Sequence, residues 1–129
     1  MDEVKGYLFT DRFKTEDSVL KRLLLVEDDP ILRRNYRKRL KTRFNIRIAA
    51  SFSEAMYQLC TFEFDIVLTD IHLTKAQNAE GLYIIGQASS KFRIQKIIAM
   101  STDTEKSEEC LNAGADRFID KAFGLELMN

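Results

Sequence analysis

From Arg22 onward the chain alternates short apolar runs with segments of helical spacing, and that alternation leaves few folds open. Leu23-Leu24-Leu25-Val26 and Ile66-Val67-Leu68 are too continuous for half-exposed strands and too short to cross a membrane. They read as strands buried on both faces. The spacing predicts strands at about 22–27, 45–50, 64–70, 95–101 and 116–120. Helices are predicted between them, at about 30–43, 52–60, 79–90 and 103–112. In the first helix Leu32, Tyr36 and Leu40 share a face, and Pro30 suits its first turn. Leu82, Ile85 and Ala88 form the inward face of the third. Ser51 with Glu54, and Thr102 with Glu105, have capping-box spacing. Gly114 fits the left-handed residue that ends a helix. Five strands alternating with helices give an α/β fold, a parallel doubly wound sheet covered on both faces. In such sheets ligands bind beyond the carboxyl ends of the strands, at the point where strand order reverses.

Those strand ends carry the polar residues of interest. The first apolar run ends in Glu27, Asp28 and Asp29, and the strand at 64–70 ends in Asp70. Adjacent parallel strands ending this way bring several carboxylates to one sheet edge. That arrangement is costly unless a cation neutralises them. Carboxylate oxygens in this number suit Mg²⁺, which keeps several waters. Ser101 and Lys121 also fall at or just after predicted strand ends. Alone, each has an ordinary explanation: a helix cap, a strand-end hydroxyl, a surface lysine. Their shared position makes one site the better reading.

Composition narrows the classes of partner. Of 129 residues, 20 are Lys or Arg and 20 are Asp or Glu, so overall charge favours neither nucleic acid nor membrane. The length suits one domain. Charge is uneven along the chain. Arg33, Arg34, Arg37, Lys38, Arg39, Lys41, Arg43 and Arg47 form a basic block without an intervening acid. It reads either as a solvated helix face or as a docking surface for an acidic partner. Cys60 and Cys110 have no metal-ligand spacing and read as reduced, partly buried thiols. With no signal peptide or transmembrane-length run, a cytoplasmic location is expected.

At this point the chain resembles the receiver domains of response regulators, the chemotaxis-regulator (flavodoxin-like) type. The resemblance covers about residues 21–124. It rests on Leu25-Val26-Glu27-Asp28-Asp29, Asp65 to Asp70, Ile97 to Ser101, and Gly114-Ala115-Asp116-Arg117-Phe118-Ile119-Asp120-Lys121, in that order. It implies that Asp70 is the phosphoacceptor, attacking a phosphohistidine in line. Catalysis then lies mainly in neutralising charge on the transferring group. Asp28 would ligate Mg²⁺ directly and Glu27 through water, with Asp70 and the backbone carbonyl of His72. Lys121 would pair with Asp70 and then with a phosphoryl oxygen, and Ser101 would donate to another. Asp29 is read as a favourable charge at the helix N-terminus. Phosphorylation adds up to about two negative charges, and the resemblance implies that Ser101 is drawn in and Phe118 turns inward. The implied partners are a sensor histidine kinase or histidine phosphotransfer domain in a two-component system or phosphorelay, with a downstream protein target. The implied activity is self-catalysed phosphotransfer, not enzymatic turnover.

Four departures from the family pattern stand out. Thr74 replaces a proline, and the path from Asp70 to Gly81 is longer than common. Thr102 replaces Ala or Gly, which narrows the phosphoryl entrance and predicts slower phosphotransfer or hydrolysis. His72 and Asp103 occupy variable rim positions, where they either hinder the attacking water or stay solvated. Ala122 replaces a cis proline, and a cis bond there would cost about 2.5–4 kcal/mol, so a trans Lys121–Ala122 bond is expected.

The expected division is an N-terminal extension, 1–20, and a receiver domain, 21–129, with a shortened or missing fifth helix. The extension carries Val4, Tyr7, Leu8 and Phe13. It folds back over the gap, hangs free, or leaves the gap to a homodimer contact. With no effector region in the sequence, a stand-alone receiver acting by protein contact is expected. The alternative is a degenerate receiver that binds partners without phosphorylation. A haloacid-dehalogenase-like hydrolase would want an Asp at position 72, which is His. Nucleic-acid binding through the arginine-rich helix would show a steep salt dependence and is not expected.

Overall fold

A computed structural model describes residues 20–72 and 80–121. The described elements alternate without exception. They run β1 (Arg22–Val26), α1 (Pro30–Leu40), β2 (Asn45–Ala49), α2 (Phe52–Thr61), β3 (Ile66–Asp70), α3 (Glu80–Ser90), β4 (Lys96–Ser101), a 3₁₀ turn (Thr104–Lys106), α4 (Ser107–Ala113) and β5 (Arg117–Asp120). The strands form one five-stranded parallel sheet in the order β2-β1-β3-β4-β5. The α/β fold expected from the alternation is the fold observed. Strand order reverses between β1 and β3, so the crevice at their carboxyl ends is where a site is expected.

Side chains alternate across the sheet with period two and build two cores. Leu24, Val26, Val67, Ile97 and Ala99 face α2, α3 and α4. Leu23, Leu25, Ile66, Leu68, Ile98 and Met100 face the side where α1 supplies Tyr36 and Leu40. Every residue of β3 is buried, which explains its uninterrupted apolar run. In α3 the buried residues are Gly81, Ile84, Ile85 and Ala88, so Ile85 and Ala88 face inward as expected, while Leu82 is only partly buried and Ile84 takes the deeper place.

Helix ends follow local chemistry. Asp29 caps α1, accepting from the N–H groups of Ile31 at 2.8 Å and Leu32 at 3.3 Å. Ser51 caps α2 by accepting from Glu54 N–H at 3.2 Å. Glu54 reaches back to Ala50 N–H at 3.0 Å, one residue before the cap. Gly114 ends α4 at φ +124°, a conformation that favours glycine.

Three expectations need correction. The first helix stops at Leu40, because Arg43 and Phe44 N–H both bond the Leu40 carbonyl and close it into a turn. The second capping box does not form at Thr102. Asp103 accepts from Glu105 N–H at 3.1 Å and opens a 3₁₀ turn, so α4 begins only at Ser107. Cys60 is exposed rather than partly buried, whereas Cys110 is buried and burial pushes its thiol up to about 11, away from reactivity. The expectations for the 1–20 extension, Thr74, the Lys121–Ala122 bond and the fifth helix lie outside the described residues, apart from Leu20 and Lys121.

Candidate functional site

The site follows from strand register. Val26 pairs with Thr69, so the next residues in parallel, Glu27 and Asp70, come level at the sheet edge. Asp70 pairs with Met100, and Ser101 with Asp120, so Ser101 and Lys121 arrive at the same edge. Residues far apart in the chain are thus brought together by main-chain hydrogen bonding alone.

One oxygen from each of Glu27, Asp28 and Asp70 lies within 4.8 Å of the others. Glu27 and Asp70 are buried and Asp28 is exposed. The Lys121 ammonium enters between the two buried acids, 2.8 Å from Asp70 Oδ2 and 2.8 Å from Glu27 Oε1. Of these two contacts the one to Asp70 has hydrogen-bond geometry; Glu27 Oε1 is an ion-pair partner with no hydrogen bond among the described residues. Glu27 Oε2 accepts from Asp29 N–H at 3.0 Å, and Asp70 Oδ1 accepts from His72 N–H at 3.1 Å.

The charges are unevenly compensated. Burial pushes the Glu27 carboxyl up to about 7, more than Lys121 and the Asp29 amide pull it back. Burial alone would lower Lys121, but its hydrogen bond to Asp70 and the nearby charges of Asp70 and Glu27 outweigh that and hold its pKa above the ordinary lysine value. Lys121 therefore stays charged, and burial makes Glu27 readier than an ordinary carboxyl to take up a proton. Three carboxylates against one ammonium are a donor set that fits a hard divalent ion with oxygen ligands.

A cleft of about 520 Å³ opens over this edge, lined by Asp28, Asp29, Pro30, Ile31, Asp70, His72, Thr102 and Lys121. Glu27 lies buried beneath it. Of the expected rim residues, His72 and Thr102 line the cleft; Asp103 does not, and its side chain is turned to Glu105 N–H. Ser101 is fully buried, and its Oγ accepts from Asp103 N–H at 2.9 Å. Phe118 is half-buried against the core under α2–α4.

Two features were not legible in the residue pattern. Arg33, read as part of the basic block, donates from Nη1 to the carbonyls of Glu27 at 3.0 Å and Asp28 at 3.1 Å. Tyr36, read as one of an apolar stripe, is wholly buried with a hydroxyl that has no hydrogen-bond partner among the described residues. Burial pushes this phenol up to about 12, and it feels the charges of Lys121, Glu27 and Asp70. A buried hydroxyl without a partner costs about 1–3 kcal/mol. Tyr36→Phe is therefore expected to stabilise the chain by about 1 kcal/mol in denaturant unfolding; equal or lower stability would show that the hydroxyl is satisfied.

A parallel doubly wound sheet with an acid cluster and a lysine at its switch point defines a class of phosphate-handling signalling domains. The chain belongs to the response regulator receiver domain family, whose model matches residues 23–129. It is a phosphoacceptor-type domain of two-component signal transduction, not a turnover enzyme. The chain is 34% identical over 107 residues to a cyclic di-GMP phosphodiesterase of Thermotoga maritima, a match over 82% of the chain but 28% of that relative's length. The response regulator TrrA of Thermotoga maritima, solved in complex with Mg²⁺-BeF, is 26% identical with a TM-score of 0.71, covering 83% of this chain and 91% of that one. A CheY-like receiver domain protein of Methanospirillum hungatei is 30% identical with a TM-score of 0.69, covering 78% and 81%. Among the described residues no helix is long and apolar enough to cross a membrane.

Proposed function

We propose that the chain accepts a phosphoryl group on Asp70 from the phosphohistidine of a sensor histidine kinase or histidine phosphotransfer domain. Residues 21–129 form the receiver and residues 1–20 an extension to it. The observation that carries this reading is Lys121, held 2.8 Å from Asp70 at the floor of a cleft that also presents Asp28. Nucleophile, countercharge and cation ligands meet at one point that is open to a donor.

An Asp70 carboxylate oxygen attacks phosphorus, the phosphorus–nitrogen bond breaks, and its electron pair returns to the imidazole. Asp28, Asp70 and the His72 carbonyl, with Glu27 through water, would hold Mg²⁺, which would supply charge neutralisation for the phosphoryl oxygens. The relative solved with Mg²⁺-BeF supports that choice of ion. Lys121 moves from the Asp70 carboxylate to a phosphoryl oxygen. Ser101 already accepts from Asp103 N–H, so its own proton is free to donate to the phosphoryl group. Drawing Ser101 toward the cleft pulls on Asp103 and the 3₁₀ turn it caps, and Phe118 follows by packing. Phosphorylation thereby changes a protein-interaction surface. His72 and Thr102, on the cleft wall, set how readily donor and water enter. The exposed cations of α1 suit an acidic partner surface beside the cleft. The setting is the cytoplasm, where kinase and phosphotransfer domains act.

The test is incubation with Mg²⁺ and acetyl phosphate, read by intact mass beside Asp70→Asn. One phosphoryl group on the wild type and none on the variant is the expected result. No adduct on the wild type would overturn phosphotransfer and leave a receiver that works by binding alone.

A further inference from the structure

We propose that Arg33 is a positioning residue of the cation site, acting through the backbone of the β1–α1 turn; this rests on the reading of Glu27, Asp28 and Asp70 as ligands. One guanidinium nitrogen bridges two successive carbonyls, those of Glu27 and Asp28. Helical side chains slant toward the N-terminus, so a residue one turn inside α1 can reach back over the turn that precedes it.

In helix terms the residue is misplaced. A cation near a helix N-terminus opposes the dipole, and the acid at that end of α1, Asp29, is engaged in capping the N–H groups of Ile31 and Leu32 rather than paired with Arg33. Arg33 is also half-buried, unlike its exposed neighbour Arg34. The two carbonyls account for both facts. With Asp29 N–H bonded to Glu27 Oε2, the turn is held at three backbone groups. Mutually repelling carboxylates are thereby kept in the arrangement that converges with Asp70.

Charge and position act on a bound dication with opposite signs. The Arg33 charge repels Mg²⁺, so a purely electrostatic role makes its removal tighten binding. A positioning role makes its removal weaken binding. Calorimetric titration with Mg²⁺ at neutral pH separates them, using wild type, Arg33→Ala, Arg33→Met and Arg33→Lys, with metal-free unfolding measured in parallel. Met keeps the packing of the aliphatic stem and decides the question if the Ala variant does not fold. Binding about tenfold weaker in the uncharged variants, as for other groups that orient metal ligands, with most of it restored in Arg33→Lys, is the expected result. Unchanged or tighter binding in Arg33→Met beside normal wild-type binding would overturn the role of Arg33 alone. A wild type that binds no Mg²⁺ would overturn the cation site itself, and Arg33 with it.

Discussion

Lys121→Met is expected to destabilise the metal-free chain by about 3 kcal/mol at pH 7.5, the lower end for breaking a buried ion pair from one side. In wild type the Lys121 side chain is 11% exposed, against 0% for Glu27 and 4% for Asp70. Methionine fills the space but leaves two buried carboxylates facing each other and Asp28. For a domain of this size the loss corresponds to a melting temperature lower by roughly 10–20 °C. The sign of its pH dependence follows from Glu27. Its folded pKa is already raised to about 7 by burial, so the folded state holds a proton that the unfolded chain gives up. Without Lys121 that pKa rises further. The variant therefore regains stability as pH falls toward 5, and the gap to wild type narrows. Added Mg²⁺ should also narrow it at pH 7.5, by neutralising the same carboxylates. Thermal unfolding in EDTA and in Mg²⁺, across that pH range, checks all three. A variant melting within a few degrees of wild type in EDTA at pH 7.5 would mean that water from the cleft already screens the acids.

Gly81→Ala is the second large effect, and it acts on the site from outside. A Cβ at Gly81 would overlap the Cα of Ile71 and lie 2.6 Å from its carbonyl oxygen. Both are backbone atoms, so no rotamer change relieves the contact. Gly81 N–H also donates to that carbonyl at 3.3 Å, so α3 is docked directly on the chain leaving β3. The expected cost is about 3 kcal/mol, the upper part of the usual range for overpacking. Ile71 lies between Asp70 and His72, whose N–H bonds Asp70 Oδ1. Displacing it should therefore slow phosphorylation by acetyl phosphate as well as lower the melting temperature. Gly86→Ala in the same helix is the control. Its Cβ would meet only the Ala113 carbonyl oxygen, at 3.9 Å. It should gain about 0.5–1 kcal/mol from helix propensity. Equal stability of the two variants would show that α3 can lift from Ile71 without cost.

What could be read from the residues was local or periodic. The apolar runs Leu23–Val26 and Ile66–Leu68 agree with burial because a strand covered on both faces favours apolar side chains; Thr69 and Asp70, also buried, mark where β3 reaches the site. Ser51 caps α2 as its spacing implied, and Asp29, read as a charge at the start of α1, also caps it, since both depend only on neighbours two or three residues away. The same locality explains the errors. Thr102 and Asp103 both suit a cap, and the choice fell to Asp103 because its N–H is tied to Ser101 Oγ. In α3, four successive apolar residues, Leu82 to Ile85, leave the place of Leu82 ambiguous until β3 and β4 are in place.

The sequence by itself therefore determined the order of elements, the parallel sheet, and the acids, serine and lysine waiting at strand ends. Its motifs were enough for the family. Only the tertiary structure decided how these groups meet. Strand register put Glu27 level with Asp70 and let Lys121 bridge them, across 94 positions from Glu27 to Lys121 in the numbering. The fold turned Arg33 from the solvated face of a basic helix onto two carbonyls, and buried the Tyr36 hydroxyl without a hydrogen-bond partner among the described residues. The reason is physical: periodicity reports which face of an element is buried, whereas the partner of a buried polar group is set by chain segments that meet only when the sheet closes.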